Sequence, residues 1–139
     1  TLMEILVVLG IFAILLGAGS VVSLDMYRSA SFRSERDMLV SILAKSRTQA
    51  LSNINQDSHG WKYDSGSGNL VIFQGDDYIG RIIGEDEIIP ANPNIVYTGI
   101  SEVVFAQLTG EATGAGTITL TSGSRTATIT INNEGRIDW

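Results

Sequence analysis

TLMEILVVLGIFAILLGAGSVVSL, residues 1–24, decides how the rest of the chain is read. Between Ile5 and Leu24 there is no charged side chain, only apolar residues broken by glycine and serine. As a helix this run is roughly 30 Å long, enough to cross a bilayer. Glu4 sits at its tip, and an ionised carboxylate in an apolar medium is costly unless something meets or neutralises it. Four readings compete. A secretory signal peptide has Ala18-Gly19-Ser20 as a cleavage site, but no basic segment precedes it and the apolar run is long. A plain membrane anchor explains the length but leaves Glu4 as pure cost, and Arg28, Arg33 and Arg36 beyond the span oppose the positive-inside rule. A buried core helix is hard to cover on all sides in so small a chain. In a bundle of copies of itself, the α-amino group of a neighbour one axial step away partners Glu4, so that the residue selects register.

Past Asp25 the pattern becomes amphipathic. Met38, Leu39, Ile42, Leu43, Ala50, Leu51 and Ile54 recur at helical spacing, with charged residues between them. No proline stands between Thr1 and Gln56, so the two runs read as one helix ending near NINQDSHG (53–60). The remainder reads as strands and turns. WKYDSGSGNLVIF (61–73) is a hairpin, YIGRIIG (78–84) a further candidate strand, IIPANPN (88–94) a loop, and IVYTGI (95–100) and EVVFA (102–106) strands. In the last part Ile118, Leu120, Ala127, Ile129 and Ile131 alternate with threonines about an SGSR turn, which predicts a hairpin with one apolar and one threonine-rich face. The expected fold class is α+β, a long N-terminal α-helical spine packed on an antiparallel β-sheet head. Its expected parts are a hydrophobic half-helix 1–24, an amphipathic half-helix 25–55 and a β-rich head 56–139.

Charge divides unevenly along the 139 residues. Residues 1–54 hold five basic and four acidic side chains, net +1; residues 55–139 hold four and eleven, net −7. An acidic head is a poor general binder of DNA, and Arg125 and Arg136 beside Glu134 and Asp138 form no basic cluster. With no cysteine, neither a disulfide nor a thiolate metal site can form.

TLMEILVVLGIFAILL resembles the N-terminus of type IV pilins and pseudopilins, whose mature chains begin with N-methylated Phe followed by Thr, Leu, an apolar residue and Glu. The resemblance places Thr1 at the family's second mature position and Glu4 at its glutamate. It implies a short basic leader removed by a prepilin peptidase on the cytoplasmic face. LVSILAKSRTQALSN (39–53) and GTITLTSG…ATITINNEGRI, with its Gly135-Arg136 ending, are similar to H-type pseudopilins of type II secretion and FimT-like minor pilins. In the first of these stretches Lys45 stands where that group usually has alanine. The helix-bending proline that many pilins carry near Val21 is absent here, with Gly17 and Gly19 close by. They imply either a segment that loosens when subunits pack or a close approach of helices.

The expected function is a structural subunit of a type IV pilus or related helical filament. Glu4 would set register, with Leu2, Ile5, Leu6, Val8, Leu9, Ile11, Phe12, Leu15 and Leu16 packing the filament core. The alternative is a low-copy minor pilin or type II secretion pseudopilin, acting as a tip or substrate-binding module. The expected partners are copies of the chain itself, the inner membrane before assembly, the prepilin peptidase and the assembly machinery, with no direct contact to nucleic acid. The expected location is an extracellular pilus or a periplasmic pseudopilus. No catalytic residue, cofactor or metal ligand is assigned. His59 is read as a solvent-exposed turn residue, and Asp76-Asp77 and Glu85-Asp86-Glu87 as solvated loops without the spacing that wraps Ca²⁺. Trp61, Tyr63, Tyr78 and Trp139 are read as core or sheet-edge residues.

Overall fold

The computed structural model describes the chain from Thr1 to Trp139, apart from the side chains of residues 17–24. The protein is α+β with antiparallel sheets. Helix α1 (Leu2–Leu51) precedes all the strands: β1 (His59–Asp64), β2 (Asn69–Gln74), β3 (Glu87–Pro90), β4 (Val96–Gly99), β5 (Glu102–Phe105), β6 (Ala112–Thr113), β7 (Gly116–Ser122), β8 (Arg125–Ile131) and β9 (Ile137–Asp138). Two compact units divide the chain, Thr1–Ser34 and Glu35–Trp139. The last part of α1 therefore belongs with the strands.

In the second unit, the helix ends where Asn53 and Asn55 adopt left-handed backbone (φ 54° and 55°), which asparagine tolerates better than most residues. Leu39, Ile42, Leu43 and Ala50 are buried, as their spacing predicts. Leu51 and Ile54, assigned to the same stripe, are half exposed, because α1 stops at Leu51. Each large aliphatic side chain buried here stabilises the unit by about 1.5–3 kcal/mol.

Where the sequence suggests one sheet, there are two. One runs β3-β2-β1-β5-β6 and the other β4-β7-β8-β9. In the first, Trp61 pairs with Ile72 and Val103 on the face that also carries His59, Gln74 and Glu87; the Glu87 carboxylate meets Lys45 Nζ of α1. The opposite face carries Val71, Phe73 and Val104, with Tyr78 packed against them. Tyr78 meets Phe73 edge-on at 5.5 Å. Both faces of β2 are therefore covered, which accounts for its unbroken apolar run.

The second sheet contains the expected hairpin, with Ile118 opposite Ile129 and Leu120 opposite Ala127. Ile118, Leu120, Ile129 and Ile131 are buried, while Thr126, Thr128 and Thr130 are exposed. Two sequence readings need correction. YIGRIIG forms no strand. Asp77 Oδ1 accepts a hydrogen bond from the Gly80 amide at 2.6 Å, and Arg81 pairs with Asp86 at 2.8 Å, folding the segment into a loop closed by a 3₁₀ turn at Ile83–Glu85. Part of IIPANPN is strand β3, which lies at a sheet edge, where Pro90 in its last position removes no bond from a central ladder.

Candidate assembly interface

Every large apolar residue from Leu2 to Leu16 is exposed, from 46% at Val8 to 80% at Leu2. A helix in water normally exposes one polar face and hides one apolar stripe; this segment presents apolar side chains in every direction. All nine assigned to core packing belong to the set: Leu2, Ile5, Leu6, Val8, Leu9, Ile11, Phe12, Leu15 and Leu16. Gly10 interrupts them with open space where a side chain would stand, so another helix can approach its backbone closely. Gly17 and Gly19, to which helix loosening was assigned, lie outside the described residues. Among the described residues no helix is long and apolar enough to cross a membrane; the Ile5–Leu24 run includes residues 17–24.

Glu4 meets a cation within its own chain. The Thr1 amino group donates to Glu4 Oε2 at 3.2 Å, across one helical turn. Both partners are open to solvent, with side chains 88% and 78% exposed. An ion pair so exposed is held weakly and exchanges readily.

In the second unit, two basic residues of α1 engage their own head. Lys45 pairs with Glu87, and Arg47 donates to the carbonyls of Gly110 at 3.4 Å and Glu134 at 3.2 Å. Glu35 went unnoticed as an anchor. It is buried and accepts from the Tyr97 hydroxyl at 2.5 Å and the Asn92 amide at 2.9 Å, tying α1 to β4 and to the loop before it. Desolvation, reinforced by the hydrogen bond to Glu35, raises the Tyr97 phenol well above its ordinary pKa, so it remains a donor. Tyr97 also stacks on Tyr63, with ring centroids 4.6 Å apart, joining the two sheets. No single-residue pattern marks such an anchor; an acid at a helical position otherwise reads as surface.

His59 is the clearest correction at side-chain level. It begins β1, is 4% exposed, and lines a cavity of about 90 Å³ with Gln49, Asn55, Ile72 and Gln74. Its turn-rich sequence surroundings hide the fact that the turn ends one residue earlier. Burial lowers the imidazole pKa below 6.5, with the Asp57 carbonyl and carboxylate pulling the other way. The unfolded chain therefore takes up a proton near pH 6.5 that the folded chain resists, and acidification favours unfolding. Stability should fall as pH drops through 6.5 and level off below the lowered folded-state value. Thermal unfolding between pH 7.5 and 5 checks this: His59→Gln should flatten that part of the profile, and an unchanged profile would refute the assignment.

The remaining sequence candidates fall in two groups. Trp61 is buried, and Tyr63 and Tyr78 are half-buried, whereas Trp139 is exposed just past edge strand β9. Of the acidic loops, Asp86 pairs with Arg81 and Glu87 with Lys45 while Asp76, Asp77 and Glu85 are exposed, and no group of three or more His, Cys, Asp or Glu able to hold a metal occurs among the described residues. No family model, curated protein or solved structure significantly matches the chain.

Proposed function

We propose that this chain is a non-enzymatic structural subunit of a type IV pilus or related helical filament, with α1 as the spine and the strands as the head of a type IV pilin fold. One observation carries the reading: a helical segment, Leu2–Leu16, exposes apolar side chains all around and bears a single acid, Glu4. Exposed apolar area on this scale requires a lipid or protein cover. A membrane covers it before assembly and neighbouring copies cover it afterwards. The N-terminal resemblance supports leader removal by a prepilin peptidase, export through the pilus or secretion machinery, and residence in an extracellular pilus or a periplasmic pseudopilus. The acidic head supports the absence of nucleic-acid contact.

The test is to shear surface filaments from cells that make the chain and from cells lacking it, image both, and identify the filament subunits by intact mass. Filaments lost with the gene and containing this chain support the reading, and its copy number per filament separates a major subunit from a tip component. Finding the chain only as a dispersed monomer would sink it.

A further inference from the structure

The loop and edge strand spanning 75–88 expose apolar side chains while Arg81 and Asp86 pair with one another. Arg81 lies 3.8 Å over the Tyr78 ring, donates to Asp86 and to the Tyr78 carbonyl, and Tyr78 itself packs on Phe73. The isoleucines are turned outward: Ile79 is 95% exposed, Ile83 73%, Ile88 60% and Ile82 49%. Isoleucine is among the residues most often buried, and four outward-facing ones in ten residues mark a contact surface rather than scatter. Acids surround them. The segment holds five carboxylates against Arg81, net −4, of which Asp76, Asp77, Glu85 and Glu87 are exposed, Glu87 being paired with Lys45.

The first compact unit carries the complement. Met26 and Tyr27 are exposed to about the same degree as Ile83, and Arg33, seven residues on from Met26 and so on its helix face, is an exposed cation. A helical polymer grows through a heterologous contact, in which two different patches on each subunit meet. Like patches could not serve here, since each surface repels its own kind electrostatically.

Resting on the filament reading, we infer that the isoleucine surface of one copy receives the Met26–Arg33 stretch of a neighbouring copy. Met26 and Tyr27 lie against Ile79, Ile83 and Ile88, and Arg33 faces Asp76, Asp77 and Glu85. This contact holds head to stem between subunits, whereas Leu2–Leu16 holds stem to stem.

Because the chain has no cysteine, introduced thiols report the contact directly. Full-length chain carrying Tyr27→Cys and Ile83→Cys together should give a ladder of covalent multimers when its filaments meet a short bis-maleimide, and each single variant nothing above a dimer. Met26→Cys with Ile79→Cys provides a second pair. Arg33→Glu should lower filament yield by about tenfold, and adding Glu85→Arg should restore most of it. Filaments formed in normal yield with no ladder, or charge reversal without effect, overturn this contact while leaving the filament reading intact. Absence of filaments from the unmodified chain overturns that reading, and the contact with it.

Discussion

Glu4→Leu is expected to reach the membrane at least as efficiently as the parent chain, yet to lower filament yield about a hundredfold or more, the consequence of losing about 3 kcal/mol or more per contact. The two halves of the result come from one side chain in two surroundings. On the way into lipid, a carboxylate is a penalty, and leucine removes it. In the proposed filament, the carboxylate is one member of a buried pair whose other member is a neighbour's α-amino group. Removing it strands that amine in an apolar bundle. Glu4→Gln separates charge from hydrogen bonding and should fall between parent and Glu4→Leu. Sheared filament mass relative to membrane-held subunit is the measurement; normal yield from Glu4→Leu ends the register role.

Gly135→Ala is the second large effect, here on stability. Gly135 has φ 74°, and a Cβ there would lie 2.0 Å from the Gly110 carbonyl oxygen and 2.9 Å from Arg47 Nε. Alanine in left-handed backbone costs about 1–2 kcal/mol before any clash. The obstructing atom is backbone, and it is held: Gly110 O accepts from Arg47, whose guanidinium also reaches the Glu134 carbonyl. Relief requires moving two loops away from α1 together, so the loss should reach about 3 kcal/mol or more. For a unit of this size that lowers Tm by roughly 10 °C or more. Circular dichroism of the full chain in detergent reads it directly, with Arg47→Ala as the milder comparison. A Tm within 2 °C of the parent chain contradicts the close approach. The same geometry explains why a Gly-Arg pair near the end of the chain is a meaningful signal: the glycine is required by the backbone, and the arginine after it pairs with Asp138 on edge strand β9.

Much of this was written in local pattern. The apolar all-round run of Leu2–Leu16, the stripe of Leu39, Ile42 and Leu43, and the alternation of Ile118, Leu120, Ile129 and Ile131 follow from the periods of helix and strand, which depend only on nearest neighbours along the chain. Turns behaved likewise where Asp and Gly act on residues two or three away, as Asp64 does for Gly66 and Ser67. Partnerships at long sequence separation carry no such signature. Glu35 with Tyr97, Lys45 with Glu87 and Arg47 with Gly110 join residues tens of positions apart, and each alone reads as an ordinary surface charge. His59 lay hidden for the same reason, its burial decided by α1 and β2 rather than by its neighbours. The sequence by itself thus determined which segments would be helix and strand, and which one is too apolar to stand alone, because these depend on local periodicity. Tertiary structure alone decided that the strands part into two sheets and which charges turn inward, because burial of a polar group depends on partners that only folding brings within hydrogen-bond reach.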